Sequence, residues 1–271
     1  MTLRHLFYRL VSSKDPDTGL GMIPNTEVGY TKVKNITRDA RWSGEIRFDQ
    51  LFDGLREARK PSTWSGLPAF MRTVKQSYAL DHWKDQTDYV EVWCEKDAII
   101  SVFDDITEEL QVTVRSLRGF NSLSACHQAA TDLLKISKPI TIYYLGDHDP
   151  SGENIAENAE DNLRKMFDFL DRPFKDFDFE RIAVFPEDIK AFNLQTVPTK
   201  KGDTRTKDFH AIHGEVGVEL DALPMSEIRE RVESAIWSHI DMDAWSSCDT
   251  QEEEDVVRLG TVTDQLASEQ N

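Results

Sequence analysis

The sequence predicts an α/β protein in which a small helical module precedes a mainly parallel β-sheet flanked by helices. Two observations lead to this prediction. Residues 2–42 carry apolar side chains at helical spacing, in two helices separated by a loop rich in glycine, proline and aspartate. Between residues 88 and 245, short apolar strands alternate with amphipathic helices, and this βαβ rhythm is typical of parallel sheets.

The first helix is predicted over residues 2–12, with a single apolar face. That face consists of Leu3, Leu6, Phe7, Leu10 and Val11. At about 100° per residue, Tyr8 falls off this face, on a flank that it shares with Arg4 one turn earlier. A tyrosine that served only the core would lie on the apolar face. The residues alone favour a boundary tyrosine whose hydroxyl group reaches water.

A second helix is predicted over residues 27–42, capped by Asn25 or Thr26. Its expected buried residues are Val28, Val33, Ile36 and Ala40, and another face carries Lys34, Arg38 and Arg41. Residues 43–52 are expected to form a short hairpin or wing. Helix, loop, basic helix and wing form the pattern of winged-helix modules, which place the second helix in the DNA major groove. We therefore expect a DNA-binding domain over residues 1–60.

Three further regions follow along the chain. Residues 61–87 are predicted to be a linker followed by one amphipathic helix, and residues 88–245 form the sheet domain. The expected strands of that domain are DYVEVWCE, QVTVRSLRG, ITIYYLGD and FERIAVF. Residues 246–271 are acidic and poor in aromatic side chains, so we expect a frayed helix or tail there.

The net charge of −17 is spread unevenly along the chain. Residues 1–75 hold 13 Lys and Arg against 8 Asp and Glu, whereas the other 196 residues hold 19 against 41. The basic part could follow phosphates and the acidic part could hold cations, although an unevenly charged solvated surface gives the same count. No apolar run has the length of a membrane span, and no signal-peptide pattern is present. Three scattered cysteines without a CxxC pair favour a reducing compartment, so we expect a cytoplasmic protein.

Three carboxylates are predicted where strands of the sheet end. Glu95 closes DYVEVWCE, and Asp147 and Asp149 follow ITIYYL. Because the carboxyl ends of parallel strands meet at one edge, we expect these side chains to converge there. A divalent cation would relieve their repulsion, and hard oxygen ligands favour Mg²⁺ or Mn²⁺. Each acid also has a plain structural interpretation, because D-x-D after a strand is commonly solvated or helix-capping and Glu95 can begin a charged helix.

Two more carboxylates, Glu219 and Asp221 in VELDALP, have the same strand-end character. They either support the predicted site or mark another strand end. The sequence contains no GxxxxGK[ST], GxGxxG or GxSxG motif, so nothing in it points to ATP binding, NAD binding or a serine nucleophile.

The three acids together resemble a known pattern. A Glu at one strand end, a small-residue turn after the next strand (Arg118 to Ser122) and D-x-D-P-x-G after the third resemble the Toprim domain of topoisomerases, bacterial primases and some nucleases. TLRHLFYRL resembles the segment around the catalytic tyrosine in the A subunit of topoisomerase VI and in the meiotic double-strand-break transesterase. Those proteins have an Arg and a pair of aromatic residues in a winged-helix domain that precedes a Toprim domain. Arg4 and the pair Phe7-Tyr8 match that pattern here.

The resemblance implies a function, a cofactor and a partner. Tyr8 would attack a DNA phosphodiester and form a 5′-phosphotyrosine bond, so that resealing needs no ATP. Mg²⁺ on Glu95, Asp147 and Asp149 would position the phosphate, and Arg4 would act as the nearby cation. In that family the tyrosine of one subunit meets the metal site of the other, so a homodimer is implied.

DNA contacts and further partners follow from the same resemblance. The residues expected to contact DNA are Lys34, Arg38, Arg41, Lys200, Lys201 and Arg205. A separate ATPase subunit is a candidate partner, but the first helix begins at residue 2 and leaves no room for the extra N-terminal part that contacts this subunit in topoisomerase VI. Two alternatives stay open: a metal-dependent Toprim nuclease in which Tyr8 is structural, and a non-enzymatic protein that binds DNA or another partner.

Overall fold

The computed structural model describes residues 2–13, 22–47, 50–51, 61–117, 123–170, 177–198 and 206–268. Its helices are α1 Leu3–Ser12, α2 Glu27–Trp42, α3 Leu67–Gln76, α4 Asp97–Glu109, α5 Leu123–Leu133, α6 Pro150–Phe169, α7 Pro186–Ala191, α8 Thr206–His213, α9 Met225–Trp237 and α10 Met242–Ser268. Its strands are β1 Tyr89–Cys94, β2 Thr113–Ser116, β3 Ile140–Leu145, β4 Phe177–Ala183, β5 Val197–Pro198 and β6 Val216–Gly217, and a 3₁₀ turn spans Leu220–Ala222.

Strands β1 to β4 form one parallel sheet in the order β2-β1-β3-β4. In its register, Val92 of β1 lies opposite Val114 on one side and Tyr143 on the other. The predicted α/β architecture, a mainly parallel sheet flanked by helices, is confirmed. The chain passes from β1 to β2 on one side and then returns to the other side of β1 for β3. The carboxyl ends of β1 and β3 therefore flank the point where the strand order reverses, which is where open α/β sheets bind ligands.

The sheet separates two layers of apolar side chains. Successive residues of a strand point to opposite faces, so Val92 and Cys94 pack on one side with Phe103 of α4 and Ile228 of α9. Trp93 points to the other side and packs with residues of α5 and α6. Because both faces are covered, the two central strands β1 and β3 consist mainly of apolar and aromatic residues. No described helix combines the length and the hydropathy that a membrane crossing requires.

Helices α1 and α2 pack on each other around a small core of Phe7, Tyr8, Val11 and Val33. Helix α2 begins at Glu27, as the sequence predicts, and α1 begins at Leu3, one residue after its predicted start. The hydroxyl groups of Thr2 and Thr26 cap the two helices by accepting hydrogen bonds from backbone amides of the first turns. Arg4 and Tyr8 lie one helical turn apart on α1, as expected. Tyr8 is nevertheless buried, with 8% of its surface exposed.

The prediction for the buried face of α2 is partly wrong. Val28 and Ile36 are 80% and 53% exposed, whereas the buried residues are Gly29, Val33 and Thr37. The chain before α2 folds back so closely that a Cβ atom on Gly29 would lie 2.2 Å from the carbonyl oxygen of Pro24. This backbone contact buries the face of α2 that carries Gly29, and hydrophobic periodicity cannot predict such a contact.

The segment after α2 contains no strand in its described parts, residues 43–47 and 50–51. Gly44, with a positive φ of 82°, follows the end of the helix, and Ile46 N donates to Ala40 O. The guanidinium of Arg41 donates to the carbonyl oxygen of Leu51. The wing, and with it the winged-helix domain, stays a prediction, since the rest of the segment lies outside the described residues.

Helix α10 occupies most of the segment expected to be a frayed helix or tail. It packs along α3, and its carboxylates accept hydrogen bonds from the stretch between α3 and β1. Tyr78 Oη donates to Asp255 Oδ2 at 2.9 Å, and Leu80 N donates to Glu252 Oε2 at 2.7 Å. Part of the acidic charge of this segment therefore holds the linker in place.

Candidate functional site

Glu95 and Asp147 meet at the carboxyl ends of β1 and β3, as the sequence predicts. Glu95 N donates to Leu145 O at 2.9 Å and extends the ladder between the two strands. Asp147 N donates to Glu95 Oε2, also at 2.9 Å. The two acids therefore lie side by side at the edge where the strand order reverses.

Asp149 has a different role in the structure. Its Oδ1 accepts a hydrogen bond from Gly152 N at 2.7 Å and caps α6. The turn into that helix is so tight that a Cβ atom on Gly152 would lie 2.1 Å from Asp147 O. Within the described residues, no hydrogen bond or ion pair joins the Asp149 carboxylate to Glu95 or Asp147. The observed contact of Asp149 is that of a helix cap.

Lys96 supplies the positive charge among the acids. Its Nζ lies 2.8 Å from Asp147 Oδ1, 3.0 Å from Asp221 Oδ2 and 3.6 Å from Glu219 Oε2. Burial on its own would lower the pKa of Lys96, but the charges of Asp147 and Asp221 raise it above the usual value. The lysine is therefore protonated, and its charge offsets the repulsion among these carboxylates, a role that the sequence predicts for a divalent cation.

The same surroundings affect Asp147. Burial raises the pKa of Asp147 to about 6; the charge of Lys96 opposes this shift and that of Glu95 adds to it. Asp147 Oδ1 also accepts a hydrogen bond from Leu220 N at 2.7 Å. Near neutral pH this carboxylate is thus close to its titration range, which is unusual for an aspartate.

The loop after β3 is tied to the segment before the 3₁₀ turn. His148 N donates to Val218 O and Val218 N donates to His148 O, both at 2.8 Å. Together with the bond from Leu220 N, these contacts place Glu219 and Asp221 beside the strand-end acids. The two carboxylates whose role the sequence left open are therefore part of the site.

Tyr8 reaches this network from α1. Its Oη donates to Glu219 Oε2 at 2.5 Å, at the short end of the range for hydrogen bonds to a carboxylate. Burial, followed by the hydrogen bond and charge of Glu219, raises the pKa of Tyr8, whereas Arg4 lowers it. The phenol is therefore protonated at neutral pH, and a carboxylate of its own chain is the hydrogen-bond acceptor.

Arg4 adds a cation beside the phenol. Burial works to lower its pKa, but the charges of Asp221, Tyr8 and Glu219 raise it. Its guanidinium carbon lies 5.9 Å from the ring centroid of Tyr30, within the range of a cation–π contact. The side chain is exposed, so it can receive an anionic group that approaches Tyr8.

Two further side chains, those of Tyr144 and Arg181, contact Glu95 and the backbone of Asp147. Tyr144 Oη donates to Glu95 Oε2 at 3.2 Å. Arg181 lies over the Tyr144 ring, 5.1 Å from its centroid, and donates to Asp147 O at 3.2 Å. They hold the Glu95 carboxylate and the backbone after β3 in one arrangement.

The donor set can be compared with what a hard cation requires. Among the described residues, no three His, Cys, Asp or Glu side chains are grouped as a metal site. The bonds described above use Glu95 Oε2 and Asp147 Oδ1, which leaves Glu95 Oε1 and Asp147 Oδ2 for other partners. Carboxylate oxygens are the ligands that Mg²⁺ prefers. Glu95 and Asp147 therefore fit such an ion chemically, whereas Asp149 would supply a ligand through its second oxygen or on release of its cap.

The basic residues expected to contact DNA are only partly described. Lys34 and Arg38 are exposed on α2, and Arg38 pairs with Asp39 at 2.8 Å. Arg41 is partly buried and donates to Leu51 O. The remaining three, Lys200, Lys201 and Arg205, lie outside the described residues. On the basic face predicted for the second helix, Lys34 and Arg38 are therefore the exposed residues.

Several residues of the site were not expected from the sequence. They are Lys96, Tyr144 and Arg181. For Lys96 the one available signal is its position directly after Glu95. Tyr144 and Arg181 belong to strands that are otherwise apolar or alternating, so the sequence alone assigns them no role.

A scan against protein-family models found no match, and searches of the curated proteins and of the solved structures found none either. The resemblance to the topoisomerase VI A subunit therefore rests on the sequence motifs and stays a prediction.

Proposed function

We propose that this protein cleaves DNA by metal-dependent transesterification, with Tyr8 as the nucleophile, in the manner of a type IIB topoisomerase A subunit. The observation that supports this proposal best is the hydrogen bond between Tyr8 and Glu219. Through Glu219 and Lys96 it joins a tyrosine of the first helix to Asp147 at the end of a β-strand. The proposed nucleophile and the proposed phosphate site thus belong to one network of charged groups.

Each residue has a defined task in this reaction. Tyr8 Oη attacks the phosphorus atom, a Tyr–O–P bond forms, and the bond from phosphorus to the 3′ oxygen breaks. Arg4 and Lys96 offer positive charge to the phosphate oxygens as their charge rises in the transition state. Mg²⁺, when bound by Glu95 and Asp147 with Asp149 as the third expected ligand, supplies further positive charge at the same place.

DNA is the proposed partner, and two copies of the chain are proposed to act together. Each copy would then contribute one tyrosine, and a pair would cut both strands of a duplex. The exposed Lys34 and Arg38 on α2 would contact backbone phosphates.

A hydrolytic nuclease is the second candidate, and the state of Tyr8 favours it. The phenol is buried and its pKa is raised, and both properties weaken a nucleophile. In a hydrolytic reaction Glu95 and Asp147 would serve a water molecule, and Tyr8 would only pack α1 against the 3₁₀ turn.

The two candidates differ in the ends that they leave on DNA. Supercoiled plasmid is incubated with Mg²⁺ or Mn²⁺, quenched in detergent, and analysed with and without proteinase. Wild type is compared with Tyr8→Phe and Asp147→Ala, and with Tyr78→Phe as a matched control that removes a tyrosine hydroxyl group elsewhere. We expect protein-linked 5′ ends that disappear in the first two variants and persist in the control.

Protein-free ends that persist in Tyr8→Phe and disappear in Asp147→Ala would replace transesterification with hydrolysis. Absence of cleavage by the wild type under all these conditions would overturn both candidates. DNA binding that persists in Asp147→Ala would then favour a non-enzymatic role.

A further inference from the structure

We propose that Glu219 is the catalytic base that takes the proton from Tyr8. This inference deepens the proposed function and rests on it. Among the described residues, Glu219 is the acid with an oxygen in contact with the phenol: Tyr8 Oη donates to its Oε2 at 2.5 Å. A base must lie within hydrogen-bond reach of the proton that it abstracts, and Glu219 already does so before substrate binds.

The backbone holds this carboxylate in place from both sides. Val218, which precedes it, exchanges two hydrogen bonds with His148, and Leu220, which follows it, donates to Asp147 Oδ1. A base fixed by its neighbours loses little freedom in the reaction and keeps its alignment with Oη. The same bonds fix its distance from the phosphate site at the ends of β1 and β3.

The other nearby acids do not compete for this role. Asp221 is buried, with 2% of its surface exposed, and its Oδ2 is paired with Lys96 at 3.0 Å. Asp147 Oδ1 contacts Lys96 and Leu220 N. The side chain of Glu219, by contrast, is 31% exposed and can exchange a proton with solvent.

Two cations, Lys96 and Arg4, lie beside the pair of Tyr8 and Glu219. Lys96 Nζ lies 3.6 Å from Glu219 Oε2 and places a positive charge beside the proposed base. Burial and the contact with Glu219 raise the pKa of the phenol, as does the charge of Asp221, and Arg4 on α1 opposes this shift. As the phenol loses its proton to Glu219, the negative charge moves to an oxygen that Arg4 can stabilise.

The proton balance of the reaction is complete without another reactant. Tyr8 Oη loses its proton to Glu219 Oε2 as the bond to phosphorus forms. The 3′ oxygen leaves with the electron pair of the broken P–O bond and takes up a proton from solvent, to which Glu219 returns its own. Resealing runs the same steps backwards.

The test compares Glu219→Gln with Glu109→Gln, which removes the same charge from an exposed position on α4. Glutamine keeps an oxygen that can accept the Tyr8 hydrogen bond, so we expect the same melting temperature and the same affinity for DNA. We expect the rate of protein–DNA linkage in Glu219→Gln to fall at least about 100-fold, the usual scale of general-base catalysis. Its remaining rate should rise tenfold per pH unit, because hydroxide then removes the proton.

A second variant tests the chemistry without relying on glutamine. In Glu219→Ala, added formate should restore part of the rate, whereas chloride at equal ionic strength should not. A rate in Glu219→Gln equal to or above that of the wild type would overturn the inference. The hydrogen bond from Tyr8 to Glu219 would then only hold Tyr8 in place before the reaction. Absence of rescue in folded Glu219→Ala would count against it too. If the wild type itself forms no protein–DNA link, the proposed function is wrong. If the wild type forms the link and Glu219→Gln forms it equally fast, only the role of Glu219 is wrong, so the two failures are distinguishable.

Discussion

Replacement of Lys96 by methionine tests how the acidic cluster is held together. The Lys96 ammonium lies within 3.0 Å of both Asp147 and Asp221, and the side chain of Asp221 is only 1% exposed. Without the lysine, a buried carboxylate loses its counterion and must either stay unpaired or take up a proton. Removal of one partner from a buried pair costs about 3–5 kcal/mol. Because the Lys96 side chain is itself 22% exposed, we expect the lower end, about 3 kcal/mol.

Thermal and urea unfolding in EDTA measure this loss. For a chain of this size, about 3 kcal/mol corresponds to a fall in melting temperature of about 6–12 °C. The double variant Lys96→Met with Asp221→Asn provides the control, since it removes the charge that the lysine compensates. It should be more stable than Lys96→Met alone. Equal stability of the single and double variants, or a loss below about 1 kcal/mol in Lys96→Met, would refute the reasoning from charge compensation.

Three further predictions follow from the same structure. The folded-state pKa of Asp147 is raised to about 6, so the protonated carboxyl group stabilises the fold at low pH. The free energy of unfolding of the wild type should therefore fall from pH 4 to pH 7 relative to that of Asp147→Asn. An equal pH dependence of the two unfolding free energies would contradict this. A mixture of the Tyr8→Phe and Asp147→Ala proteins should form no protein-linked DNA, because Tyr8 contacts the charged network of its own chain. Nicked plasmid with protein attached would instead indicate a site shared between two subunits. Cys248 should react first with a thiol reagent, because it is partly exposed whereas Cys94 and Cys126 are buried; three equal rates would be the contrary result.

Much of the fold follows from local sequence signals. Threonine caps before α1 and α2 and the mainly apolar and aromatic residues of β1 and β3 produce the elements that propensity and periodicity predict. The buried face of α2 does not follow, because it depends on the backbone of Pro24 lying against Gly29. That contact is a property of the tertiary structure, and no periodicity within the helix encodes it.

The candidate site divides in the same way. Glu95 and Asp147 could be placed together because parallel strands end at one edge, a rule that needs only the order of elements. Lys96 could not be assigned as their counterion, because its side chain direction depends on where the chain turns into α4. Glu219 became a partner of Tyr8 only through the backbone pairing of His148 with Val218, a contact between distant parts of the chain.

The hydrogen bond from Tyr8 to Glu219 also bears on the order in which the molecule folds. It joins residues 211 positions apart, and the bond from Tyr78 to Asp255 joins residues 177 apart. Contacts at such separations form late, since the intervening chain must first be ordered. During synthesis α1 emerges before the sheet, whereas its acceptor emerges 211 residues later. A nascent chain therefore carries its tyrosine apart from the carboxylate while strands β1 to β4 are synthesised, and the site is completed only when the sheet is already in place.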